Sequence, residues 1–190
     1  MKNLKDIISE KLEINEKLII NKNIKIHNYN YFPKNRRELV DIVSKKYQAL
    51  KDKNEVLDLN DIDISKIKDL SYLFELMYPK KVDMNKWDVS NVTDIHGLFW
   101  NNKIIEEVHI EDWDVRNVET AYGAFYFCKN IKELNLDNWK LNKCTEFDLM
   151  FKGCEELDTH FTDNWKITQT ITCDSMFEGC KYAPKWYKIY

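Results

Sequence analysis

The chain has 190 residues, 44% of them apolar and 32% charged, with a net charge of −3. That is enough apolar material for one or two domains with a core, and it excludes a disordered or collagenous chain. The slightly acidic balance offers no general attraction to nucleic acid or anionic membranes. Charge is uneven, however: residues 1–58 hold 13 Lys/Arg against 9 Asp/Glu, and the remainder 16 against 23, which marks a boundary near residue 58. No apolar run approaches the roughly 18–20 residues of a membrane span. The first twenty residues mix Lys2, Lys5, Asp6 and Glu10 with aliphatics, unlike a secretory signal. A cytoplasmic location is the expectation, with no membrane partner.

In chain order, Leu4, Ile7, Ile8 and Leu12 fall on one helical face and predict a helix over about 3–13. Ile20, Ile24, Ile26, Tyr29 and Tyr31 then alternate, predicting one or two extended segments between Leu18 and Phe32. After Pro33, Asn35 reads as an N-cap, and Leu39, Val40, Val43, Tyr47 and Leu50 predict a second helix to about Lys53. Residues 1–56 together read as an N-terminal α+β cap, because the open apolar end of a repeat array needs an atypical unit to cover it.

The repeat itself begins at 57. Tryptophan recurs at 87, 113, 139 and 165, and phenylalanine at 99, 125, 151 and 177, each series stepping by 26 residues. An earlier unit keeps Phe74, with Ile62 in the tryptophan position. Two aromatic ladders locked in phase mark a repeat architecture. Counting from the tryptophan position, apolar columns stand at +2 (Ile64, Val89, Val115, Leu141, Ile167), at +5, at +8 and at +11, and each run ends at the Phe. Their spacing of three predicts a helical or 3₁₀ turn packed inward. Between each Phe and the next Trp, the runs Glu106-Glu107-Val108-His109-Ile110 and Lys132-Glu133-Leu134-Asn135-Leu136 alternate and predict short stacked parallel strands. The fold class expected is α/β: a leucine-rich-repeat-like solenoid of about five 26-residue coils over 57–182, with a C-terminal cap at 183–190.

The segment Trp-Asp-Val-Ser-Asn-Val-Thr-Asp at 87–94, followed by Leu98-Phe99, resembles the unit of the BspA-like leucine-rich-repeat proteins. The runs Met150-Phe151-Lys152-Gly153-Cys154 and Met176-Phe177-Glu178-Gly179-Cys180 resemble that family's Met-Phe-x-Gly-Cys signature. Pro184-Lys185-Trp186-Tyr187 resembles a terminal seal. The resemblance spans about 57–187 and implies a curved solenoid with a protein-binding or structural role and no catalytic residues.

Most candidate chemistry falls into the repeat. Cys128, Cys154 and Cys180 share one position, and Cys144 and Cys173 occupy inward columns, so all five read as core thiols, with no close pair to hold a metal. His27, His96, His109 and His160 share no position. Asp112 and Asp114 read as a solvated edge, and Asn91-Val92-Thr93 as repeat consensus more than a glycosylation site. No phosphate loop or nucleophile–base order is present. No enzyme activity, cofactor or metal is therefore expected.

What the repeat leaves unexplained is aromatic. His96 and Tyr122 stand at +9, where other units have Ser71, Asp148 and Asp174. Trp100 and Tyr126 stand at +13, where others have Glu75, Lys152 and Glu178, and Phe127 replaces the glycine of Gly153 and Gly179. Polar residues elsewhere in these columns predict an exposed cluster with the composition of an interface hot spot. At +1 the series Asp63, Asp88, Asp114, Lys140, Lys166 reverses sign and offers a charged edge. The expected function is a non-catalytic protein-interaction module, monomeric, of the kind that serves as an intracellular inhibitor such as a mobile-element-encoded antagonist of host defence. One alternative is nucleic-acid binding through Tyr29, Tyr31 and Phe32 near Lys25, Lys34, Arg36 and Arg37. Another is a structural or surface repeat protein.

Overall fold

The computed structural model describes residues 29–50, 52, 54–165 and 171–187. The helix expected over 3–13 and most of the extended stretch before Tyr29 lie outside the described residues. The element order is α1 (Arg36–Ala49), β1 (Val56–Asp58), β2 (Lys81–Asp83), β3 (Glu107–His109) and a 3₁₀ helix (His160–Asn164).

Helix α1 starts where the sequence places it. The Asn35 side chain accepts the Glu38 N–H at 3.0 Å, and the Glu38 carboxylate reaches back to the Lys34 N–H. It ends at Ala49 rather than Lys53, because Leu50 turns extended and closes the last turn onto Tyr47. Leu39 and Val43 are fully buried against unit 1. Around that contact the Arg36 guanidinium donates to the Ser71 carbonyl, and Lys46 pairs with Asp61 at 2.9 Å. Tyr31 bridges Ile62 in parallel.

The three strands form one parallel sheet in the order β1-β2-β3, with Leu57, Val82 and Val108 in register and buried. Only a single bridge, Glu107–Glu133, extends this ladder into the fourth unit. In the fifth, the strand expected from the repeat is replaced by the 3₁₀ helix. There Thr162 donates both its N–H and its hydroxyl to Thr159, and Phe161 turns into the core. A second parallel column, at Asp69, Asp94, Thr120, Glu146 and Thr172, runs through all five units.

The segment ahead of each ladder Phe is not the expected helical or 3₁₀ turn. It is a chain of β-turns bonded from unit to unit. Leu98, Trp100 and Asn102 donate their N–H groups three residues back, to Ile95, Gly97 and Phe99. The alternate residues Gly97, Phe99 and Asn101 donate forward instead, to Tyr122, Ala124 and Tyr126 of the next unit, at 2.7–2.8 Å. Two columns of left-handed residues enforce this division. One is Tyr72, Gly97, Gly123, Leu149 and Ser175, the other Asn101, Phe127, Gly153 and Gly179, with φ between 47° and 81°. A left-handed residue every fourth position stops a right-handed helix from propagating. All four glycines of the chain stand in these columns.

Inside, the ladder phenylalanines stack at 4.6–5.7 Å between centroids, and Phe74, Phe99, Phe125 and Phe151 are fully buried. Trp87, Trp113 and Trp139 stack at 6.2 Å within 7° of parallel. Each indole also donates one unit back: Trp87 to the Leu59 carbonyl, Trp113 to Met84, Trp139 to Ile110 and Trp165 to Leu136, at 2.7–3.3 Å. The bond satisfies a buried polar N–H that would otherwise be costly. At the far end Trp186 and Tyr187 meet Phe177 edge-on, and the Trp186 indole donates to Thr162 at 2.8 Å.

Gly123 gives a direct test of the turn geometry. A Cβ there would lie 2.3 Å from Cζ3 of Trp100, at a φ of +53°. Gly123→Ala should cost about 2 kcal/mol or more, from left-handed strain plus the collision. Adding Trp100→Ala should return at least about 1 kcal/mol of that in denaturant unfolding. Simple additivity of the two losses would show that the ring does not rest on this glycine.

Candidate protein-binding surface

The five aromatic residues singled out by the repeat do come together. Trp100 stacks on Tyr126 at 4.1 Å and lies parallel to Tyr122 at 6.1 Å. His96 meets Tyr122 at 5.9 Å, and Tyr126 meets Phe127 at 4.6 Å. The sequence reading missed a sixth ring, Tyr72, which packs edge-on to His96 at 4.3 Å and to Trp100 at 5.9 Å. Its signal was present: it stands in the column where units 2 and 3 have Gly97 and Gly123. The result is one row of rings across units 1 to 3.

These rings are half-buried, not freely exposed as their column neighbours suggested. The reason lies beneath them. Tyr72 lies over Gly97, Trp100 over Gly123 and Phe127 over Gly153, each ring resting where a Cβ of the next unit would otherwise stand. One side of each ring is thus architecture, and the other side is surface. At one end the row begins beside Ser71, where Arg36 of the cap is bound. At the other end Lys129 stands 5.7 Å over Phe127 while pairing with Glu155, and Lys152 pairs with Glu178 at 2.8 Å.

The remaining candidates are mostly absorbed by the fold. Asp63, Asp88 and Asp114 on the charged edge each accept the N–H two residues on, as turn caps. Asp114 is also held by both ends of the Arg116 guanidinium, whose bond lowers its carboxyl below the usual range. Asp112 exchanges hydrogen bonds with Asn85. The amide of Asn91, in the apparent sequon, donates to Ser65 one unit back, as Asn117 does to Ser90. Of the basic N-terminal residues, Arg36 is engaged with Ser71 and Asp69, while Phe32 is 64% exposed. His109 and His160 flank a hollow of about 570 Å³ beside β3, with Glu111, Glu133 and Asp158. His109 lies 3.7 Å from Glu111, and His160 stacks on Tyr182. Among the described residues no three His, Cys, Asp or Glu side chains converge for a metal, and no helix is long and apolar enough to cross a membrane.

None of the five cysteines is in a disulfide. Cys128, Cys154 and Cys180 each donate Sγ–H to the carbonyl of a ladder Phe one unit back (Phe99, Phe125, Phe151) at 3.0–3.2 Å. In unit 2 the same position holds Asn102, buried and donating to Pro79. Burial pushes the thiols of Cys128 and Cys154 far up, Cys144 up to about 12 and Cys180 up to about 11. Cys173 is raised by burial and then by Asp148 and Asp174.

Residues 68–187 match a family described as Mycoplasma protein of unknown function, DUF285, and the chain belongs to that family. No curated protein and no solved structure matches it. The family match takes in the whole row of rings and the Trp186–Tyr187 seal, but none of α1.

The thiols give a check on this placement. Because only the thiolate alkylates, a raised pKa slows labelling at mildly alkaline pH. Iodoacetamide should label Cys173 first and Cys180 next in the native protein, with Cys128 and Cys154 labelled only on unfolding, as read by peptide mass mapping. Native labelling of Cys128 at the rate of Cys173 would contradict the buried ladder.

Proposed function

We propose that the chain is a non-catalytic protein-interaction module, a capped leucine-rich-repeat-like solenoid of the BspA kind that binds a partner protein through the row from Tyr72 to Phe127. The observation that carries the reading is the departure of this row from the repeat. Units 4 and 5 build the same two columns with Asp148, Lys152, Asp174 and Glu178, so the turn does not require rings at these positions. Tyr and Trp with one wall fixed and one free lose little conformational freedom on binding, which is why they dominate interface energetics. Each ring here is held by its ring neighbours, and Tyr72, Trp100 and Phe127 also by a glycine, so the row is pre-organised for a partner.

The variant Trp100→Ala/Tyr126→Ala tests this. Its loss should be about 2–4 kcal/mol of binding, enough to abolish capture of a stoichiometric partner from lysate of the source organism. A cooperative melt of the variant verifies that it is folded, and Lys185→Ala, exposed beside the Trp186–Tyr187 seal and away from the row, should bind as the parent does. Undiminished capture by the folded double variant would end the proposal.

A further inference from the structure

The row of rings has a chemical preference of its own. Tyr72 stands at 73° to His96 and 69° to Trp100, and His96 at 76° to Tyr122, so Tyr72 and His96 rise as steep walls beside the parallel faces of Trp100 and Tyr122. Carboxylates rim the walls. The Glu75 N–H closes its turn on the Tyr72 carbonyl at 3.2 Å. The Asp94 carboxylate accepts the His96 N–H at 2.8 Å and lies 3.8 Å from that ring. After burial and Tyr122, both acids raise the Tyr72 hydroxyl above its ordinary value. Asp148 follows Tyr122 in the same column, where it accepts the Asp174 N–H. The cations at the far end are already committed, Lys129 to Glu155 and Lys152 to Glu178.

The fold shows how its own rings take a cation: Lys46 stands 5.4 Å over Tyr31 and Lys129 5.7 Å over Phe127. Among the described residues no Lys or Arg stands over Tyr72, Trp100 or Tyr122. A surface of negative ring faces beside carboxylates, with no described cation over those faces and with the neighbouring Arg36 held by Ser71 and Asp69, favours a cationic guest. Arginine suits it better than lysine, because a planar, weakly hydrated guanidinium stacks on a ring while its edge donates to a carboxylate. An acidic or phosphate-bearing guest would instead meet Glu75 and Asp94 as like charges.

Resting on the protein-binding reading above, we infer that Tyr72, His96, Trp100 and Tyr122 receive an arginine side chain from a basic segment of the partner, with Glu75 and Asp94 facing the guanidinium edge. The rings supply contact area and orientation, and the carboxylates select the charge. Partners without an exposed basic segment gain the ring contact but not the carboxylate contact.

The probes are two short peptides, acetyl-Gly-Arg-Gly-Arg-Gly amide and its citrulline counterpart, which keeps the shape and removes the charge. Each is titrated into the full chain while the Trp100 indole N–H resonance, assigned with Trp100→Phe, is followed by NMR. The arginine peptide should shift that resonance saturably and bind about 3- to 5-fold more tightly than the citrulline peptide, with the difference shrinking as salt rises. Glu75→Gln should weaken the arginine peptide alone and leave the melt unchanged, since the exposed Glu75 carboxylate makes no hydrogen bond among the described residues. Equal binding of the two peptides, or a Trp100 signal that does not move, overturns the arginine assignment. Failure of the underlying reading is distinct: the folded Trp100→Ala/Tyr126→Ala variant would still capture its partner. Loss of that capture without competition from the arginine peptide overturns this inference alone.

Discussion

The structure depends on hydrogen bonds that run along the repeat from unit to unit. In each turn, half of the N–H groups close the turn locally and half cross to the next unit. The left-handed residues maintain that division, because without them the spacing of three would continue into a helix that keeps every bond to itself. The helix would satisfy its own backbone and leave the units held by side chains alone. The price of the stacked arrangement is strain at Tyr72, Leu149, Ser175 and the other non-glycine members of the columns. That cost is offset by the parallel bonds and by burial of the Phe and Trp ladders that the stacking permits.

The same constraint explains why so much apparent chemistry is structural. Buried carbonyls with spare lone pairs stand at fixed places in every unit, and the sequence supplies a donor for them. An indole serves at the Trp position, a thiol or the Asn102 amide after the Phe, and an Asn amide at Asn91 and Asn117. Asp side chains meanwhile cap N–H groups in the tight turns between them. Residue types that suggest metal sites, nucleophiles or glycosylation when read singly are here the polar complement of a stacked backbone.

The sequence disclosed the parts of the fold that repeat and hid those that break the repeat. The Trp and Phe ladders, the N-cap at Asn35 and the strand register at Val82 and Val108 follow from period and alternation. The turn did not. A left-handed backbone is recognisable at Gly97 and Gly123, but the same column holds Tyr72, Leu149 and Ser175, which carry no such mark. The 3₁₀ helix at 160–164 replaces a strand through Thr-to-Thr bonding that composition does not announce. Among the rings, His96, Trp100, Tyr122, Tyr126 and Phe127 stood out against polar column-mates. Tyr72 stands in the next column, among Gly97, Gly123, Leu149 and Ser175, where no polar side chain marks the position as outward-facing in units 2 to 4. The half-burial of the row was also invisible, since it arises from glycines one unit further along.

The bonds between units point both ways. Indoles, thiols and the Asn91 and Asn117 amides reach back, while the backbone of each turn reaches forward. A unit therefore cannot slip past its neighbour, and the stretch from the Trp position to the residue three after the Phe has a fixed length. The link from there to the strand is tied less densely: the Glu106 N–H donates back to the Lys80 carbonyl at 2.7 Å, but residues 103–105 make no hydrogen bond to a neighbouring unit among the described residues. It spans five residues from Met77 to Val82 and six from Asn102 to Val108, and it carries the exposed Tyr78 and Ile104. Insertions and deletions have one place in each unit to go, and the 25-residue first unit has already used it.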